Sequence, residues 1–322
     1  MDLVADIGAT HSRCALLDAE GSILAPETFN NKDFDGLEAL LNAYLARRRA
    51  SDRPGRAALA IAAPILEDHV EMTNLEWSFS QISLQVALGV RRLAVLNDFE
   101  AVAWSLLDID PEKAHKIGRG EAAKRGPRAA LGPGSGLGVG GLVPHTDGWA
   151  AVAGEGGHVT LAATTEEEAE VIALLRRRFE HCSAERVLSG PGLVNLYHAL
   201  SDKAGRGIAQ VEPDDVTSLA LKGEPLAEHT LEMFFALLGT VASDLAVTLG
   251  ARGGVYITGG IVPRVLSLLE GSKFRDRFEA KGRYRAYLAG IATYVITESV
   301  PAFRGLRRVL GFGRQQADIE RT

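Results

Sequence analysis

The chain has 322 residues, 46% hydrophobic and 24% charged, with 35 Lys and Arg against 41 Asp and Glu, a formal charge of -6. That balance excludes a disordered or collagen-like chain. The only basic runs, Arg47-Arg48-Arg49 and Arg176-Arg177-Arg178, fall on helical stretches and read as solvated faces, so no nucleic-acid surface is expected.

The length predicts two domains of roughly 150 residues each. Cys14 and Cys182 stand far apart without CxxC spacing, which suits a reducing, cytoplasmic compartment and offers neither a zinc site nor a disulfide framework. No basic leader precedes an apolar segment. The most apolar stretch, from Met233 to Ala251, is broken by Ser243 and Asp244, so a buried core helix and no membrane span is expected there.

From the N-terminus, "DLVADIG" reads as a buried strand. "SRCALLDAEGSIL" continues as a second strand, a turn at Asp18 to Gly21 and a third strand, an antiparallel meander. A helix is predicted over 36–49, then a strand from Arg56 that is stopped by Pro64. Extended segments at His69 and Arg91 flank a helix at Gln81, and another helix begins at Phe99. Residues 108–128, with Pro111, Gly118, Gly120 and Pro127, are the most linker-like, and a domain boundary is placed near them. Beyond it, residues 128–143 again read strand, glycine turn, strand. Thr165 and Glu168 fit a capping box before a helix, and "GGVYITGG" is a further strand followed by a helix. Two halves that each open with strand, turn and strand suggest one duplicated α/β plan.

Asp6-Ile7-Gly8-Ala9-Thr10 stands where the first strand turns. Exposed backbone N–H groups and a hydroxyl suit phosphate oxygens, and the acid suits magnesium, because a carboxylate would repel phosphate directly. A plain hairpin turn accounts for this segment equally well. Glycines at every second position from Gly132 to Gly140, with Ser135 among them, allow close backbone approach to a ligand, although a bulged glycine ribbon is the alternative. Neither stretch has the Walker or dinucleotide pattern. Asn97-Asp98 ends a strand and starts a helix: Asp98 is either the helix cap or a general base for a hydroxyl. Glu155 and His158, three apart across two glycines, and Glu185, ahead of Ser189-Gly190-Pro191-Gly192, form a set suited to a polyhydroxylated ligand. A metal site is the less fitting reading of the three. His181 is taken as structural. Thr258-Gly259-Gly260 lets a flat group such as adenine lie on backbone, or is a simple strand-to-helix turn.

Together, "LND", "GEGGHV", "LSGPGLVNLY" and "GGIVPR", in this order from Asp6 to about Val295, resemble the bacterial glucokinase family, within the hexokinase and actin-like ATPase superfamily. The resemblance implies a two-lobed α/β actin-like ATPase (ribonuclease H-like) fold with a duplicated core and an inter-lobe cleft. Its small domain would be 1–108 plus about 299–322, and its large domain 109–298. It implies ATP-dependent phosphorylation of glucose at the 6-hydroxyl, with ATP and Mg2+ as cofactors and a homodimer as the assembly. Asp98 would be the catalytic base, and Asn74, Asn97, Asp98, Glu155, His158 and Glu185 would bind the sugar. Asp6, Gly8, Ala9 and Thr10 would form the first phosphate loop, with Asp6 holding Mg2+ through water. Gly134, Ser135 and Gly136 would form the second loop, and Gly259 and Gly260 would take the adenosine.

The family usually has Gly where Ala9 stands and Asn where His11 stands. A methyl at Ala9 costs about 1 kcal/mol if its backbone requires positive φ. The tail "SVPAFRGLRRVLGFGRQQ" also departs, keeping only Pro301 and Gly305, and is expected to pack on the first lobe, where Phe303, Arg304, Arg307 and Arg308 alter its surroundings. These departures favour the alternative of a non-catalytic sugar-binding regulator. A kinase for another hexose, such as mannose, glucosamine or N-acetylglucosamine, is the other alternative.

Overall fold

The computed structural model describes residues 1–207 and 210–312. The expected tail residues 313–322 lie outside the described residues. Among the described residues the chain divides into two compact units, the first comprising 1–110, 145–154 and 298–312 and the second 111–144, 155–207 and 210–297.

In the first unit, β1 (Asp2–Ile7), β2 (His11–Leu17) and β3 (Ile23–Asn30) form the expected antiparallel meander. Helix α1 (Leu37–Ala46) leads into β4 (Arg56–Ile61). The short ribbon β5 (His69–Glu71) and β6 (Ser78–Ser80), helix α2 (Gln81–Leu88), β7 (Arg92–Asn97) and helix α3 (Asp98–Ser105) follow. The sheet order is β3-β2-β1-β4-β7, with β1, β4 and β7 parallel.

Side chains of a strand alternate between faces, so β1 feeds two cores. Leu3, Ala5 and Ile7 pack with Leu37, Leu40, Leu41, Leu84 and Leu88 of α1 and α2. Val4 packs on the other face with Ala58, Ala60, Leu96, Ala101 of α3, and Ala302, Phe303 and Leu306 of a helix spanning Pro301–Val309. At Gly305 that helix lies so close to α3 that a Cβ would overlap the Ala101 carbonyl oxygen. Arg308 ties it further to Asp108 (3.0 Å), and Arg304 pairs with Glu298 (2.6 Å).

Two readings of this region need correction. Helix α1 stops at Ala46, before the three arginines. Arg48 is not solvated, because it folds back onto Glu27, with its guanidinium 4.3 Å from the Tyr44 ring centroid.

In the second unit, β8 (Ala114–Ile117), β9 (Arg128–Pro133) and β10 (Leu137–His145) join the strands Val255–Ile257 and Thr293–Ile296 in the order β10, β9, Val255–Ile257, Thr293–Ile296, β8. β9 and β10 are antiparallel, and the next two strands run parallel to β9. This repeats the sequence hairpin, parallel, parallel of β2-β1-β4-β7, so the duplicated plan is present in strand order.

The stretch 108–128 is therefore more than a linker, since β8 inside it closes the sheet edge antiparallel to Thr293–Ile296. Its polar composition reflects an edge strand with few buried side chains.

The second core is helical: α4 (Glu166–Phe179), α5 (Gly190–Lys203), α6 (Pro213–Leu221) and α7 (Pro225–Leu249). Helix α7 is long and apolar enough to cross a membrane, but Phe234, Phe235, Leu237 and Leu238 are buried among the other core side chains. Only half of the predicted capping box forms. Thr165 accepts from Glu168 N at 3.2 Å, while the Glu168 carboxylate accepts from Thr164 N (2.7 Å) and pairs with Arg277 (2.6 Å). Burial alone would raise the Glu168 pKa, and Arg277 and Thr164 outweigh it, so the carboxyl sits below its ordinary value.

Candidate functional site

The register of the first sheet aligns Ile7 with Ile61, and Ile61 with Asn97. The glycine turn after β1 and the Asn97-Asp98 step after β7 therefore leave the same edge, two strands or about 10 Å apart. This is the carboxyl edge of the parallel strands, where open α/β sheets bind ligands.

The first turn is closed by Gly8 N donating to His11 O (3.1 Å). Sequence reading missed its brace, Asn31, which is 1% exposed. Its side-chain amide donates to Gly8 O (2.8 Å), its backbone N to Thr10 O (3.0 Å), and its Oδ1 accepts from the Ser12 hydroxyl (2.7 Å). Asn31 lies 23 residues beyond Gly8, across the β2–β3 hairpin, so no local spacing marks it. Ala9 is absent from the positive-φ non-glycine residues, which among the described residues are Ala25 and Glu180. The anticipated cost of its methyl does not arise. The bond that closes the turn uses the backbone carbonyl of His11 and not its side chain.

Burial raises the Asp6 pKa, against a lowering by Arg13, whose Nη1 is 3.4 Å from Oδ2. A carboxylate that is desolvated yet only loosely paired suits a hydrated divalent cation.

At the other step, Asn97 is the cap of α3: its Oδ1 accepts from Phe99 N (2.9 Å) and Glu100 N (3.2 Å), while its amide donates to Ala63 O (3.2 Å). Capping therefore falls to Asn97, and Asp98 is the first helical residue, its Oδ1 accepting from Phe99 N at 2.8 Å. Asn74 lies apart on the β5–β6 ribbon, in its exposed turn.

The second unit brings three of the expected motifs together. Gly134 N donates to Gly136 O (2.8 Å), and Gly134 O accepts from Gly190 N (2.7 Å). Ser189 caps α5 by accepting from Gly192 N (2.9 Å) and donates to Glu185 O (2.8 Å). Glu185 Oε2 accepts from Leu137 N (2.8 Å), so Glu185 is no mere surface residue. Gly259 has φ +89°, and a Cβ there would overlap Pro133 O, which seats the Thr258-Gly259-Gly260 turn against the start of the second glycine turn. Space around Gly134 and Gly260 is open. After Gly260 the chain forms a 3-10 turn over Val262–Val265 before a short helix.

Glu155 and His158 flank the 3-10 turn Gly156–His158, closed by His158 N on Glu155 O (3.0 Å). That turn is fixed beside Glu185: Ala184 N donates to Val159 O (2.9 Å), and Leu161 N to Cys182 O (3.0 Å). Gly157 lies where a side chain would overlap Leu137 O. His181 bonds Thr160 Oγ1 at 3.0 Å, a structural contact. A cavity of about 300 Å3 elsewhere in this unit, lined by Glu121, Ala123, Arg252, Tyr287, Gly290 and Ile291, includes none of these residues.

The glucokinase family profile matches residues 3–311. A protein named Glucokinase from Paramagnetospirillum magneticum is 47% identical over 308 residues, covering 95% of this chain and 96% of its own length. Another of that name from Aromatoleum aromaticum is 47% identical over 312 residues, covering 96% and 94%. The crystal structure of glucokinase from an Antarctic psychrotroph matches with a TM-score of 0.85 at 36% identity, over 96% of this chain and 98% of that one.

Proposed function

The chain belongs to the glucokinase family, and from that premise we propose how its residues carry out the reaction. It is an ATP-dependent glucose kinase that converts glucose to glucose 6-phosphate. The observation that carries our assignment of roles is the division of labour at the end of β7, where Asn97 takes the helix cap and Asp98 follows as the first helical residue.

Asp98 accepts the proton of the 6-hydroxyl as that oxygen bonds to the γ-phosphorus and the bond to the ADP oxygen breaks. Asn97, Asn74, Glu155, His158 and Glu185 hydrogen-bond the other hydroxyls, carboxylates accepting and amides both donating and accepting. Gly8 and Gly134 close the two turns with their own N–H groups, leaving Ala9 and Thr10, and Ser135 and Gly136, to present backbone N–H groups to phosphate oxygens. Gly259 and Gly260 offer open backbone to the adenosine.

Asp6 fits a Mg2+ ion held through water, on the ground of its raised pKa and loose pairing with Arg13. When bound with ATP, Mg2+ neutralises charge on the transferring phosphoryl group. The wider reading is a cytoplasmic homodimer that binds neither nucleic acid nor membrane.

The test is turnover of a hexose panel with Mg-ATP beside the Asp98→Asn variant. We expect glucose to lead the panel and the variant to lose about 10^3 in kcat, with its glucose Kd by calorimetry within about threefold of the parent because the amide keeps the shape. Joint loss of turnover and sugar binding would assign Asp98 a structural role.

A further inference from the structure

Of the sugar-ligand candidates, Glu185 is the one whose carboxylate is engaged with a glycine turn. Oε2 accepts from Leu137 N at 2.8 Å and stands 2.5 Å from where a Cβ on Gly136 would lie. Oε1 has no hydrogen bond among the described residues. The other side of the same turn is held by the segment that follows Glu185, through Gly190 N on Gly134 O at 2.7 Å. That segment is fixed in turn by Ser189, which donates to Glu185 O and caps α5. The turn Gly134–Leu137 is thus gripped at both ends by residues 185–190, and one of the two grips is a flexible side chain that also faces the sugar role assigned above.

We propose that Glu185 is a positioning residue that ties hexose occupancy to the conformation of the second glycine turn. The proposal rests on the reading of Glu185 as a sugar ligand. A hydroxyl donating to Oε1 fixes the plane of the carboxylate, and that holds Oε2 on Leu137 N. Rotamer freedom lost to the sugar need not be lost again when phosphate oxygens meet Gly134, Ser135 and Gly136. Sugar and nucleotide therefore strengthen each other's binding by one common factor, as linkage requires. Gly136 enters the sugar site by the same route, since any side chain there displaces the Glu185 carboxylate.

The experiment is calorimetry of the full chain with Mg-AMPPNP, with and without saturating glucose, and of glucose alone. In the parent protein glucose should lower the AMPPNP Kd about five- to tenfold, and AMPPNP should lower the glucose Kd by the same factor. Glu185→Ala should bring that ratio to within about twofold of unity, whereas Glu185→Gln, whose amide oxygen still accepts from Leu137 N, should keep a ratio above about threefold. Gly136→Ala meets only the tip of a flexible side chain, so it should fold with the parent's Tm and yet raise the Kd for glucose alone about fivefold.

A Glu185→Ala protein that keeps the parent ratio overturns the proposal. If that variant no longer binds glucose, the decision falls to Gly136→Ala, and a glucose Kd within about twofold of the parent overturns it. A parent protein that binds glucose but never turns it over refutes the kinase reading instead, and leaves the glucose titration of Gly136→Ala decisive for this proposal.

Discussion

The two glycine turns solve one problem in opposite ways. The turn at Gly8–His11 is braced by Asn31, a buried neutral residue whose side-chain amide bonds Gly8 and Ser12 and whose backbone N bonds Thr10. The turn at Gly134–Gly136 is braced by Gly190 N and by a carboxylate, Glu185, with one oxygen unspent among the described residues. The first is set when the chain folds. The second shares its support with a residue that has another task, so its order depends on what occupies that residue. A brace that does nothing else gives rigidity, and a brace with a second use gives communication.

The largest expected effect separates function from stability at the first turn. Asp6→Asn should lose about 10^2 in turnover, the scale of one removed electrostatic group, while gaining thermal stability at neutral pH. The sign follows from burial, which raises the folded pKa above the ordinary value of 3.8. Stability associated with Asp6 is fully present below the unfolded value and is lost as pH rises through the folded one. The Tm advantage of the variant should therefore shrink on acidification, and an advantage that grew toward low pH would contradict this account.

Next, Asn31→Ala should cost about 2–3 kcal/mol by denaturant titration, because the buried Ser12 hydroxyl and the half-buried Gly8 carbonyl lose their partner. Ser189→Ala, at the second turn, should cost about 1 kcal/mol as a lost helix cap. The smallest effect is Ala9→Gly: with no positive φ to relieve, it should destabilise by about 0.5–1 kcal/mol and leave turnover within twofold.

Much of the candidate site could be proposed from the sequence because its residues cluster in short motifs at strand ends. Asp6 to Thr10, Asn97-Asp98 and Gly132 to Gly140 announce themselves by strand pattern and turn composition, and the repeated strand, turn, strand grammar carried the α/β plan. The braces were not legible. Asn31 reaches Gly8 across a hairpin, and Glu185 reaches Leu137 over 48 positions. Contacts of that kind follow from register and packing, and a single sequence has no period that reports them. The strand Ala114–Ile117 was hidden for a different reason, since an edge strand with little buried surface has the composition of a linker. Gly305 read as a faint echo in the tail, yet its missing side chain is what lets Pro301–Val309 close on α3.

That closure has a consequence for synthesis at the ribosome. Val4, Ala15, Leu17, Ala58, Ala60 and Leu96 form one face of a core whose other face is Ala302, Phe303, Leu306 and Leu310. At about 5–20 residues per second, the roughly 200 residues between the two take on the order of 10–40 s to emerge. For that interval the part of this apolar face that Ala101 of α3 does not cover waits open in the nascent chain, a natural landing place for a chaperone, until the late helix arrives and seals it.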